Sequence, residues 1–166
     1  QILLTELRER GGRRIGMIDS AYSLRTEGRY VPSPRRVYFE EFAPDCVDRV
    51  VVGTESIVGG AEALQALVAE HPEVDSVIVF NDLMALGAIQ AAHALHLEVP
   101  GRLRIVGIDG LSLGLAVSPL LSTLAIDRRA MAEAALALVD DALGSERQVL
   151  SRRHIMVPRP LWRESA

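Results

Sequence analysis

Short, nearly unbroken apolar runs alternate along this chain with segments whose apolar residues recur every three or four positions. The runs are Ile15 to Asp19, Arg49 to Gly53 with its three consecutive valines, Val74 to Phe80 and Leu103 to Ile108. Little polar alternation breaks them, which is the pattern of strands buried on both faces. Between them lie helical patterns. The chain opens on one (Ile2, Leu3, Leu4, Leu7) that Gly11-Gly12 stops. Ser33-Pro34 offers an N-cap followed by proline at the first helical position, with Phe39, Phe42 and Ala43 behind it, and Pro44 limits that helix. Ser56 to Glu70 and Leu83 to His96 predict two more helices, and Asp127 caps a last one running to about Leu143. Ser122 to Ile126 reads as a short extended segment and Gln148 to Val157 as a final strand, while Ser20 to Pro32 lacks periodicity and reads as a loop.

Strands that alternate with helices and need cover on both faces define an α/β fold, a doubly wound parallel sheet with right-handed connections. Ligands of such sheets sit at the carboxyl ends of the strands. That rule selects Asp19 and Ser20, Gly53 to Ser56, Asn81 and Asp82, and Asp109 and Gly110 as the positions where chemistry belongs.

Composition narrows the function classes. At 166 residues, 49% hydrophobic and 24% charged, the chain fits one globular domain. Its 18 basic residues, all arginine, are outnumbered by 22 acidic ones, a net charge of −4 that argues against direct contact with nucleic acid phosphates. Cys46 stands alone, so the chain can form neither a disulfide nor a thiolate metal site, and a reducing, cytoplasmic setting follows. No apolar run approaches the roughly 20 residues of a membrane span.

Candidate chemistry is sparse. In Asn81-Asp82 one residue can cap the following helix, leaving the second to face a ligand. Asp109 is either a turn former or an acceptor for hydroxyl or amine groups. His93 and His96 lie three apart on one helix without a third ligand, so no metal is expected. Nucleophile and dinucleotide motifs are absent, Cys46 has no evident base, and no enzyme or cofactor is predicted.

Four motifs carry a resemblance: Phe80-Asn81-Asp82-Leu83-Met84-Ala85-Leu86-Gly87-Ala88, Val99-Pro100 leading to Arg104-Ile105-Val106-Gly107-Ile108-Asp109-Gly110, Ser118-Pro119-Leu120-Leu121-Ser122-Thr123-Leu124, and Leu161-Trp162-Arg163-Glu164-Ser165. In this order and spacing they resemble the effector-binding domain of the LacI/GalR (lactose/galactose repressor) family of transcription regulators. The resemblance implies one lobe of a two-lobed, periplasmic-binding-protein-like sensor. Residues 1–122 would form the C-terminal lobe, 123–147 a crossover segment and helix of the otherwise missing N-terminal lobe, and 148–166 the return strand and tail. An operator-binding helix-turn-helix would precede the chain.

The resemblance also assigns roles. Asp109 and Asn81 would hydrogen-bond a polar effector, and Glu55 would stand where relatives often place an aromatic side chain. The family's effector-binding arginine would be Arg35, which fits the helix, or Arg25, which has the following glycine Gly28; Arg35 is preferred. Leu86 would lie at a dimer interface, with Ile89, Gln90 and His93 on the same helical face. The function so implied is effector sensing, with a sugar or nucleoside-like molecule altering operator affinity in a homodimer. A periplasmic sugar-binding protein of a transporter is the alternative.

Overall fold

Successive side chains of a strand point to opposite sides of its sheet, so an uninterrupted apolar run needs helices above and below it. The computed structural model, which describes residues 1–20, 30–144 and 154–166, shows how this chain supplies them. In chain order the elements are α1 (Ile2–Glu9), β1 (Ile15–Ser20), α2 (Pro34–Phe42), β2 (Val50–Gly53), α3 (Ile57–Glu70), β3 (Ser76–Val79), α4 (Asp82–Ala94), β4 (Arg104–Asp109), β5 (Ser122–Ala125), α5 (Arg128–Gly144) and β6 (Arg159–Leu161). The sheet runs β2-β1-β3-β4-β5-β6, parallel from β2 to β5 and antiparallel at β6.

Alternate residues of the same strands feed two cores. Ile18, Val77, Val79 and Ile105 pack with α3 and α4, whereas Ile15, Met17, Ile78, Val106 and Ile108 pack with α1 and α2. The caps fall where the short polar residues predict. Ser33 Oγ accepts from Arg36 N at 3.1 Å, Ser56 Oγ from Gly59 N at 2.9 Å, Asn81 Oδ1 from Met84 N at 2.8 Å and Asp127 Oδ1 from Ala130 N at 3.0 Å.

Of the expected final strand, residues 148–153 lie outside the described residues and 154–157 form no strand; the described sheet closes with Arg159–Leu161, registered antiparallel on Thr123 to Ala125. β-Branched content misled, because Ile155 and Val157 stay exposed with no partner. Pro160 has no N–H to give a further neighbour, which suits it to an edge strand.

The tail then returns to the core. Ser165 Oγ donates to Ile105 O (2.6 Å) and accepts from Ser122 N (2.8 Å), while Ile105 N donates to Ser165 O (2.8 Å). Trp162 Nε1 donates to Glu6 Oε2 at 2.5 Å, and the Arg10 guanidinium lies 4.2 Å from the Trp162 ring centre. α5 contrasts with everything else. None of its described residues is buried, and Leu136 and Leu143 are 65% and 82% exposed.

α3 and α4 approach so closely that backbone meets backbone. A Cβ on Gly87 would lie 1.8 Å from Ile57 O, and one on Gly60 2.1 Å from Met84 O. Gly87→Ala is expected to lower stability by about 1–3 kcal/mol through overpacking, read as a reduced urea midpoint. An unchanged midpoint would mean that the helices separate at no cost.

Candidate functional site

The carboxyl edge of the sheet is built by polar side chains that fix one another. Asp19, buried near the end of β1, accepts at Oδ2 from Ser33 N (3.2 Å) and from the Tyr30 hydroxyl. Ser33 is the cap of α2, so this carboxylate sets where α2 begins. Arg36 Nη1 donates to the Tyr30 oxygen at 3.0 Å and its Nε pairs with Glu40 at 2.6 Å. Burial and the neighbouring Asp19 push the Tyr30 hydroxyl up to about 12, against the opposing pull of Arg36.

With Arg36 engaged there, Arg35 reaches across the strand ends. Its Nη2 meets Asp109 Oδ1 at 3.0 Å, its Nη1 donates to Phe80 O, and its guanidinium lies 4.4 Å from the Phe80 ring centre. The structure therefore brings Arg35 to Asp109. Arg25 lies outside the described residues.

Asp109 takes φ +125°, a conformation that side chains other than glycine rarely adopt, and Gly110 follows at +74°. The peptide joining them is pinned at both ends. Arg128 Nη1 donates to Asp109 O at 2.8 Å, and Gly110 N donates to Thr123 Oγ1 at 3.1 Å. Thr123 in turn donates its hydroxyl to Asp82 Oδ1 at 2.6 Å, and Leu111 N donates to Asp82 Oδ2 at 2.6 Å. Asp82 is fully buried over Gly107, where a Cβ would come within 2.3 Å of its carboxylate. Of the Asn81-Asp82 pair, then, Asp82 turns inward and braces the turn that presents Asp109. Burial pushes the Asp109 carboxyl above the usual range; Arg35 pulls it down, nearby Asp82 pushes it up, and Arg128 pulls it down.

Asn81 caps α4 through Oδ1 and donates Nδ2 to Glu55 Oε1 at 2.9 Å. Glu55, Asn81, Arg35 and Asp109 thus form one polar line across the ends of β2, β3 and β4. Asp19, one of the strand-end positions expected to carry chemistry, also shapes it, as do Thr123 and Arg128, which were not singled out for a site. Two depressions border this line. An apolar one of about 280 Å³ lies under Arg35 among Leu4, Met17, Phe39 and Ile108, and a more polar one of about 700 Å³ lies beside Gly110, Arg128 and Arg159. Among the described residues no His, Cys, Asp and Glu cluster could hold a metal ion.

The expected apolar patch on α4 is corrected. Leu86 and Ile89 are only 3% and 2% exposed because they belong to the core that α4 shares with α3; Gln90 and His93 alone reach the surface.

This architecture, a mostly parallel sheet carrying a polar line at its carboxyl edge, is that of the periplasmic-binding-protein-like fold. Residues 4–166 match the model of the periplasmic binding protein-like domain, and the chain belongs to that family, in the LacI-type form of its relatives. A PurR transcriptional repressor of Yersinia pestis is 29% identical over 140 residues, 84% of this chain and 41% of the relative. The ribose operon repressor of Halalkalibacterium halodurans is 36% identical over 78 residues, 46% of this chain and 24% of the relative. Among solved structures, a LacI family regulator from Arthrobacter sp. FB24 in complex with lactose superposes with a TM-score of 0.80 at 27% identity, covering 99% of this chain and 62% of that one. The regulator CelR in complex with cellobiose gives 0.79 at 25% identity, over 97% and 49%. The chain thus spans about two fifths of its PurR relative.

Asp82 and Asp109 should respond oppositely to substitution. Asp82→Ala strands the Leu111 amide and the Thr123 hydroxyl in the core and is expected to cost about 2–4 kcal/mol. Because the folded state raises the Asp109 pKa, its favourable contribution is fully present below the unfolded pKa and is lost as pH rises through the raised folded one. Removing the charge at pH 7 therefore relieves the fold, and Asp109→Asn is expected to leave stability unchanged or raise it by up to about 1 kcal/mol. Urea denaturation of both variants decides; a loss at Asp109 as large as at Asp82 would make Asp109 a purely structural residue.

Proposed function

We propose that this chain is the effector-sensing lobe of a LacI-type transcription regulator, taking a sugar or nucleoside-like molecule against the Glu55–Asn81–Arg35–Asp109 line. The observation that carries the reading is the Arg35–Asp109 pair, in which a helix and a strand contribute opposite charges to one ligand-facing edge. The names of the relatives support it: they are repressors and sugar-complexed regulators, which favours a regulator over a transporter's binding protein. In this reading a second lobe, outside the present sequence, covers the edge, and α5 crosses into that lobe. Effector bound between the lobes shifts their arrangement, and linkage passes the shift to operator affinity in a homodimer whose helix-turn-helix also lies outside this sequence.

Titration of the intact regulator with candidate sugars and nucleosides, followed by calorimetry and operator binding, tests this. Asp109→Ala is expected to weaken effector binding by about 1–3 kcal/mol without unfolding the protein. Unchanged affinity would remove Asp109 from the site.

The exposed face of α5 makes a second expectation. Taken alone, the 166-residue chain should self-associate at micromolar concentration through Leu136, Val139 and Leu143, and Leu136→Glu with Val139→Glu should restore the monomer in sedimentation experiments. A monomeric parent chain would show that α5 has found cover within its own fold.

A further inference from the structure

Resting on the strand-edge site proposed above, we infer that its effector is an amino sugar or similar polyhydroxylated amine, with its protonated amine seated at Glu55. The inference comes from a count of charges and hydrogen-bonding capacity along the edge. Asp82 is spent inside the fold, on Leu111 N and the Thr123 hydroxyl. Asp19 is sealed inside the fold, with Oδ2 engaged by Tyr30 and Ser33 and Oδ1 without a partner among the described residues, and its burial keeps it from the edge. Asp109 faces Arg35, and Arg128 adds a second cation on its far side. Glu55 differs from all of these. It is exposed at the edge, its carboxylate accepts a single neutral amide N–H from Asn81, and among the described residues it forms no ion pair. The amino end of α3, beside it, offers only the partial positive charge of a helix terminus, roughly half a unit.

Asn81 is half committed, its oxygen accepting the cap bond of α4 and its Nδ2 donating to Glu55, which leaves one lone pair and one Nδ2 hydrogen for a ligand. Among the described residues the β2 side of the edge thus offers a negative acceptor with no ion pair, while the β4 side offers a neutralised pair. Glu55 leans across the end of β1 to meet Asn81 of the β3 end, and Arg35 meets the carbonyl of Phe80, the adjacent residue. Both halves therefore converge above β3, within the span of one or two sugar rings. A molecule with hydroxyls at one end and an ammonium at the other matches this polarity. A neutral sugar leaves the charge on Glu55 uncompensated when a covering lobe excludes water.

Matched probes test the inference on the intact regulator by calorimetry: glucosamine against glucose, galactosamine against galactose, and the fully deacetylated chitosan dimer against cellobiose. For at least one pair the amine should bind about 10–100-fold more tightly, the range for a charge-assisted hydrogen bond, and this preference should shrink as salt rises. Glu55→Gln preserves an acceptor for Asn81 and removes only the charge. It should bring the ratio of amine to neutral affinity within about threefold of one, and Glu55→Ala should do the same if the glutamine variant folds poorly. Neutral sugars that bind at least as tightly as their amines, with a ratio insensitive to Glu55→Gln, would overturn the inference and leave the sensing function standing. Failure of every probe to bind would overturn the inference, and if the wider effector titration also drew a blank, the sensing function would fall with it.

Discussion

A carboxylate sealed from water at the start of α4 is the constraint from which the carboxyl edge of the sheet is built. Burying the charge of Asp82 carries a desolvation cost of several kcal/mol, which the Leu111 amide, the Thr123 hydroxyl and the amino end of α4 offset. A hydroxyl has one hydrogen. Once Thr123 gives it to Asp82, its oxygen can only accept from Gly110 N, and the polarity of the whole chain of bonds is settled. The peptide after Asp109 is held in a rare conformation by bonds that originate in the core, and the side chain is presented at the edge before any ligand arrives.

The arginines of α2 divide two tasks that a single residue could not serve. Arg36 closes inward on Tyr30 and Glu40 and, through Tyr30 and Asp19, ties α2 to the end of β1. That anchoring leaves Arg35 free to project over the strand ends toward Asp109. Adjacent residues on a helix diverge by about 100°, so the doubled arginine is a geometric device rather than a redundancy. At its target the cost falls on the fold: the raised Asp109 carboxyl is a charge that the folded chain holds at a disadvantage.

Much of the fold was legible because strands buried on both faces cannot hide their composition. The valines of β2 and the runs around β3 and β4 marked the sheet, and Ser33, Ser56, Asn81 and Asp127 marked helix starts. Legibility failed where context outweighed propensity. Arg159-Pro160-Leu161 has nothing of a strand until β5 offers it a partner, whereas Ile155 and Val157 have strand chemistry and no partner. The resemblance assigns Leu86 to an interface and helical periodicity adds its neighbours, but periodicity shows which residues share a face, not what covers it, and Leu86 and Ile89 are buried in the core with α3. At the candidate site, Asn81, Glu55 and Asp109 stand out by their strand-end positions and Arg35 by the resemblance alone, and the geometry brings the four together. Thr123 and Arg128 escaped notice because their contacts span 41 and 19 residues of sequence, where no local pattern reaches.

The closing of the tail on the first helix gives the domain the connectivity of a ring. Glu6 and Trp162 meet across 156 residues, and Ser165 is stitched between the beginnings of β4 and β5. Segments near the ends of a chain usually exchange their amide hydrogens first, because few contacts restrain them. Here the Ile105 and Ser122 amides, both tied to Ser165, can open only when the tail leaves and exposes the sheet beneath it. Protection against exchange is thus set by the seam between the two ends of the described sequence as much as by the centre of the sheet, and the weakest region lies instead along α5, far from either end of the ring.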